Sequence, residues 1–261
     1  MNSIEKTLYL PLYSKAYVSQ KGLILADPTA EAIWQKEGFP LKGKAKSKWL
    51  AYYLGIRAAV YDDWLQAHLE REKNAVVLHL GCGMDSRVLR IKGCNQPWFD
   101  VDLPEVIKER KRHFQPTQRY RMLPGDLRKS DWLASIPRGG TALILMEGVS
   151  MYLKEGELKA LLSSLRAHFD RIFLLLDVYT PLAARLSRYR NPIRTVGVSA
   201  VYGVKSPDVL AQTGLAFVTA HEMAPSSYAA GLTPIEKRIF CRLYAGKFAQ
   251  RLYCLWEFKG E

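Results

Sequence analysis

Cysteine is scarce: Cys82, Cys94, Cys241 and Cys254 are the four in 261 residues, and no two stand at CxxC spacing. That excludes a disulfide framework and leaves reduced, buried thiols as the expectation. Long apolar runs are missing too. The strongest, Ala142–Met146 and Ile172–Leu176, fall far short of the roughly 20 residues that cross a bilayer, so neither a membrane-spanning helix nor a membrane partner is expected. Met1–Leu12 carries Glu5 and Lys6 and holds no apolar stretch of the roughly 7–15 residues typical of a secretory leader, which makes the cytoplasm the expected location. Internal repeats and low-complexity segments are absent. Acidic residues are in deficit, 25 against 38 Lys and Arg, for a net charge of +13. Such a field draws nucleic acid, anionic lipid or acidic small molecules, and equally describes a solvated basic surface with no dedicated partner; charge does not choose. With 48% hydrophobic and 24% charged residues, what remains is a globular chain long enough to bury a sizeable core in one large domain.

Between Leu12 and Ala67, apolar residues recur three and four apart, as in Ala30-Glu31-Ala32-Ile33-Trp34 and from Trp49 through Leu65, and predict helices. Lys42–Lys48 between them is a basic loop whose alternating lysines repel one another and stay solvated. After Asn74 the pattern changes to short apolar runs separated by helical or turn-rich stretches, the mark of alternating strands and helices around a parallel sheet. The spacing predicts strands at Ala75–Leu80, Trp98–Val101, Tyr120–Leu123, Ala142–Glu147 and Ile172–Val178, with helices at Arg87–Ile91, Pro104–Phe114, Asp131–Ile136 and Gly156–Phe169. Past Tyr179 the pattern loosens around Arg185, Arg188, Arg190, Arg194 and the prolines Pro181 and Pro192. Two more strands, Leu215–Thr219 and Leu252–Phe258, flank a helix at Pro234–Tyr244.

The first predicted strand runs into Gly81-Cys82-Gly83 and then a helix. Glycines there let the backbone turn sharply and leave no Cβ between chain and ligand. Asp102 ends the next strand, 21 residues after Gly81, where a carboxylate accepts hydrogen bonds from ribose hydroxyls. A glycine turn made only for packing is the competing reading. Ser86 stands where a dinucleotide fingerprint needs its third glycine, which argues against NAD and for a nucleoside without pyrophosphate, such as S-adenosylmethionine.

Three segments carry a family resemblance: Leu80-Gly81-Cys82-Gly83-Met84-Asp85-Ser86-Arg87, Trp98-Phe99-Asp100-Val101-Asp102-Leu103-Pro104-Glu105-Val106-Ile107, and Met146-Glu147-Gly148-Val149-Ser150-Met151-Tyr152-Leu153. With them the chain resembles, over nearly its whole length, the leucine carboxyl methyltransferase family in its bacterial, polyketide O-methyltransferase-like branch. The resemblance implies an α/β, Rossmann-like class I methyltransferase fold: a seven-stranded, mostly parallel sheet whose last strands form an antiparallel pair. It places a helical extension at residues 1–73, a core at 74–261, and an inserted segment near 180–212 over the acceptor pocket. It also implies that Gly81 and Gly83 face the methionine and ribose portions of S-adenosylmethionine and that Asp102 holds the ribose. Arg57, which by itself reads as a surface helix charge, matches the arginine paired with the methionine carboxylate, a task that suits a guanidinium. Asp126 matches the acid near the adenine amino group, Glu147 the acid beside the methionine end, and Lys15 a cofactor-contacting lysine. His79 stands where many class I enzymes carry an acid and is expected to be a core histidine.

The implied reaction is S-adenosylmethionine-dependent methylation of a carboxylate or a phenol or hydroxyl group of a small molecule, leaving S-adenosylhomocysteine and using no metal. A carboxylate acceptor needs no base. A phenol or alcohol would use one, and Tyr152, Glu147, His221 and Tyr179 are the candidates; Tyr152, after the fourth strand, is the substrate-facing choice, with no residue assigned as catalytic. The arginines at 185, 188, 190 and 194 suit either an acidic acceptor or a solvated helix face. Two rival readings are a nucleic-acid (RNA) methyltransferase, prompted by the positive charge, and a noncatalytic S-adenosylmethionine-binding protein. Against the first, no Asn/Asp-Pro-Pro-aromatic motif and no Pro-Cys nucleophile occur.

Overall fold

A computed structural model describes residues 3–38, 46–190 and 200–261. Three helices come first: α1 (Ser3–Gln20), α2 (Pro28–Glu37) and α3 (Lys48–Arg71). Strands and helices then alternate as β1 (Val76–Leu80), α4 (Arg87–Arg90), β2 (Trp98–Asp102), α5 (Pro104–Arg110), β3 (Tyr120–Pro124), β4 (Thr141–Met146), α6 (Glu155–His168) and β5 (Arg171–Tyr179). The chain ends through α7 (Pro181–Arg190), α8 (Pro207–Ala211), β6 (Ala216–His221), α9 (Pro234–Leu243), α10 (Lys247–Gln250) and β7 (Tyr253–Gly260).

The strands form one seven-stranded sheet in the order β3-β2-β1-β4-β5-β7-β6. The pairs among β1 to β5 are parallel, whereas β7 runs antiparallel to both β5 and β6. This is the fold class that the sequence implied. Neighbouring residues of a strand point to opposite faces, and both faces are covered. Val77, Leu143, Leu145, Leu175 and Leu255 pack with the α1–α3 layer, including Tyr61, Trp64 and Leu65. Leu78, Ile144, Leu174 and Leu176 pack with Leu158, Leu161 and Leu165 of α6. Burial on both faces explains why the inner strands read as continuous apolar runs. Helix α3 is buried along most of its length, from Ala51 to Leu69, because it lies between the sheet and α1.

Strand order reverses between β1 and β4, and a crevice outside the carboxyl ends of the strands forms at such a switch point. Residues 200–204 return to that edge: Tyr202 N–H donates to Met151 O at 2.8 Å, and Val204 N–H to Tyr179 O at 2.8 Å.

Three predicted elements differ. Asp131–Ser135 is a 3-10 turn rather than an α-helix, because Trp132 turns back onto the preceding loop and donates from Nε1 to Lys129 O at 2.8 Å. α4 lasts one turn and ends where Ile91 goes extended. α5 stops at Arg110 and continues to Phe114 as turns. Of the thiols, Cys82 is buried and the other three are half-buried, all four being free. Arg185 lies exposed on α7; the side chains of Arg188 and Arg190, all of Arg194, and residues 42–45 of the basic loop lie outside the described residues. Among the described residues, no helix is long and apolar enough to cross a membrane.

Candidate functional site

Strand β1 delivers Gly81 and Gly83 at φ +68° and +50°, the left-handed region where a side chain is strained. A Cβ on Gly81 would also stand 2.6 Å from Val149 Cγ2, so two loops of the crevice meet there without room for a methyl group. Asp102, at the end of β2, closes the turn: Oδ2 accepts from Gly83 N–H and Oδ1 from Leu103 N–H, both at 2.8 Å. Burial pushes its carboxyl up, against the pull of those two amides. Each oxygen keeps a second lone pair. Arg110 supports the turn from below, donating to Gly83 O at 2.9 Å while pairing with the fully buried Asp100 at 2.6 Å.

Beside this turn lies a buried network of charges. The parallel register that sets Met146 opposite Leu176 brings Glu147 and Asp177 together at the ends of β4 and β5. Arg57 from α3 lies between them, with Nε 3.1 Å from Glu147 Oε1 and Nη1 2.9 Å from Asp177 Oδ2. The arginine is 4% exposed, so its reading as a surface charge is overturned: α3 runs through the core, and its guanidinium is retained by partners from two strands. Arg87 reaches the other oxygen of Glu147 at 2.5 Å and pairs with Asp62 and Asp85 at 2.6 and 3.1 Å. Lys15 of α1 joins through Asp85 at 3.0 Å. Burial alone would raise the carboxyl of Glu147, but Arg87, Arg57 and Lys15 outweigh it and hold it at about 2.

Lys15, Arg57 and Glu147 therefore share one network, and Gly81, Gly83 and Asp102 form the adjoining turn. Asp126 stands apart at the end of β3, half-buried, its carboxylate gripped by the Arg128 guanidinium at 2.6 Å; that hydrogen bond holds it below the usual range. Sequence reading missed Asp62, Asp85, Arg87, Asp177 and Tyr253. Asp85 and Arg87 were visible inside the glycine-turn segment, and Asp177 as an acid closing the apolar run Ile172–Leu176. Nothing local marked Tyr253.

Tyr152 sits half-buried on a 3-10 turn, Ser150–Tyr152, within electrostatic reach of Tyr179 of β5, as is Tyr53 of α3. Burial pushes all three phenols up, and all three feel the charges of Arg57 and Asp177. Rings of Tyr53 and Tyr179 lie 6.4 and 4.8 Å from that of Tyr253. Among the described residues, none of these three hydroxyls has a hydrogen-bond partner. His221 is turned elsewhere. The β6–β7 register aims it at Glu257, with Nε2 2.6 Å from Oε2, and the same carboxylate faces His68 at 3.6 Å. That trio lines a separate groove of about 430 Å³ with Trp64 and Tyr228, which removes His221 from the set of candidate bases. His79 is a core residue, 1% exposed between Asp100 and Arg87.

Residues 11–166 match the family model described as leucine carboxyl methyltransferase. The chain is 30% identical, over 91% of its length and 89% of the relative's, to the tetracenomycin polyketide synthesis O-methyltransferase TcmP of Streptomyces glaucescens. It is 29% identical to the S-adenosyl-L-methionine-dependent methyltransferase dpfgK of Gibberella zeae, over 65% of this chain and 62% of that protein. Among solved structures, magnesium protoporphyrin IX methyltransferase from Synechocystis PCC 6803 with bound SAH aligns with a TM-score of 0.51 at 13% identity, covering 89% of this chain and 95% of that one. A chain from Thermobifida fusca YX aligns with a TM-score of 0.58 at 12% identity, covering 95% and 94%. At such identities the structural likeness speaks for the fold alone.

Proposed function

The chain belongs to the leucine carboxyl methyltransferase family and is an S-adenosylmethionine-dependent methyltransferase, and on that premise we propose that it methylates an oxygen of a small molecule, a carboxylate or a phenol. The cofactor, when bound, supplies an electrophilic methyl group on a sulfonium. The residues present fit it. Gly81 and Gly83 offer bare backbone to its ribose and methionine portions, and Asp102 keeps lone pairs for the ribose hydroxyls after serving its two amides. Arg57 receives the methionine carboxylate, and Glu147 lines the pocket beside it. Lys15 and Asp126 are already engaged by Asp85 and Arg128; they contribute the capacity those ion pairs leave, Asp126 toward the adenine amino group.

The observation that carries the acceptor reading is the group of three phenols, Tyr53, Tyr152 and Tyr179, that have no hydrogen-bond partner among the described residues. Protonated at neutral pH as phenols are, and pushed further up by burial, they can donate hydrogen bonds to an acceptor oxygen but cannot take its proton. Glu147, held at about 2 by its arginines, is a poor base as well. The pocket therefore suits an acceptor that arrives ionised, a carboxylate ahead of a neutral alcohol, and positioning supplies the catalysis. A relative named for polyketide synthesis supports a small-molecule acceptor, and the hydrogen bonds of Tyr202 and Val204 to Met151 and Tyr179 support a cover over it from this part of the chain.

The test is transfer of label from methyl-labelled S-adenosylmethionine to a panel of aromatic carboxylates and phenols, with RNA in parallel. Alkali-labile label on a carboxylate is expected, and alkali-stable label would mark a phenol ether. Label in RNA would replace the small-molecule reading, and saturable cofactor binding with no transfer to any acceptor would leave a binding protein.

A further inference from the structure

We propose that Asp177 is a positioning residue, which holds Arg57 against the Gly148 backbone for the methionine end of the cofactor; the proposal rests on the assignment of Arg57 above. Asp177 is fully buried, and a carboxylate is retained in such a place only with donors around it. Its donors come from three elements. Oδ2 accepts from Arg57 Nη1 of α3 at 2.9 Å and from the Tyr253 hydroxyl of β7, while Oδ1 accepts from Gly148 N–H, just after β4, at 2.7 Å. Tyr253 in turn accepts from Arg57 Nη1 at 2.7 Å. With Nε on Glu147, these contacts fix the guanidinium plane.

The remaining nitrogen, Nη2, lies 3.1 Å from where a Cβ on Gly148 would stand, and Gly148 has φ +70°. The same carboxylate thus sets the rotamer of Arg57 and the course of the backbone against it. An arginine left to wander must be ordered when the ligand binds, and that ordering weakens affinity. Asp177 touches neither reacting group in this arrangement. Its effect should appear in cofactor affinity and leave turnover at saturating cofactor nearly unchanged.

The experiment is calorimetric titration of S-adenosylmethionine into the wild type, Asp177→Asn, Tyr253→Phe, Arg57→Ala and the doubles Arg57→Ala/Asp177→Asn and Arg57→Ala/Tyr253→Phe, with KM and kcat measured beside it. Expected is a loss of about three- to tenfold in affinity for each single positioning variant, kcat within about twofold, and no further loss when either change is added to Arg57→Ala. Tyr253→Phe removes one hydroxyl and keeps the ring, so it carries the test if Asp177→Asn does not fold. Equal losses with and without Arg57 would show a general packing effect and overturn the proposal, as would unchanged affinity in Asp177→Asn and Tyr253→Phe where Arg57→Ala binds weakly. If Arg57→Ala itself binds normally, the assignment of Arg57 falls and takes this proposal with it.

Discussion

Gly81→Ala isolates the meeting of the two crevice loops. The methyl group faces two separate penalties. At φ +68° an alanine is in the left-handed region, which costs roughly 1–2 kcal/mol. The new Cβ would also lie 2.6 Å from Val149 Cγ2 and 2.7 Å from Val149 Cβ, nearly an ångström inside ordinary contact, and overpacking of that kind costs about 1–3 kcal/mol. The expected loss is therefore about 2–5 kcal/mol of unfolding free energy, read as a lower urea midpoint with an unchanged slope. The two parts separate in a double-mutant cycle with Val149→Gly, which removes both offending carbons and leaves the backbone strain. The double variant should recover about 1–3 kcal/mol relative to the sum of the singles. Because Val149 follows Gly148, displacing it should also weaken binding of S-adenosylmethionine, and the second change should restore much of that. Strict additivity in stability, or Gly81→Ala at wild-type stability, would refute the argument from close approach.

Asp102→Ala should abolish measurable binding of S-adenosylmethionine in calorimetry while circular dichroism shows the fold retained; unchanged affinity would sink the ribose assignment. Arg110→Met leaves the fully buried Asp100 without its guanidinium and should cost about 3–5 kcal/mol in urea unfolding; a smaller loss than the typical surface substitution would contradict the ion pair's role. Glu147 gives the pH dependence. Its folded pKa of about 2 lies below the roughly 4.3 of a free glutamate, so its contribution to stability is complete above the unfolded value and fades as pH falls from about 5 toward 2. Glu147→Gln should flatten that part of the acid limb in urea midpoints measured across the range, and an unaltered limb would show that other carboxylates set it.

What could be read locally in the sequence is what local chemistry decides. The β1 run into Gly81-Cys82-Gly83 and the acid ending the next strand are set by backbone geometry within one βα unit, so both were legible. The Asp131–Ser135 turn was misread because its form depends on where the Trp132 ring packs, which the helical spacing of its neighbours does not reveal. His221 shows the same limit. Its place at the carboxyl end of a strand was right, but the side chain's face is fixed by antiparallel pairing with β7, and that register put it on Glu257.

Arg57 is the harder case, because an arginine in Leu54-Gly55-Ile56-Arg57-Ala58-Ala59-Val60 breaks an apolar pattern and reads as a charge turned to solvent. Only the register between β4 and β5, two elements far along the chain, sets Glu147 and Asp177 side by side. Two carboxylates in that position repel unless a cation separates them, so once the sheet has formed the site requires a buried guanidinium, and α3 is the element that crosses it. The polar residue inside an apolar run, Arg57 in α3 or Asp177 closing β5, is thus the local trace of a distant partner. Glu147 and Asp177 explain why Arg57 stays buried, and Arg57 explains why an acid is tolerated at the end of β5.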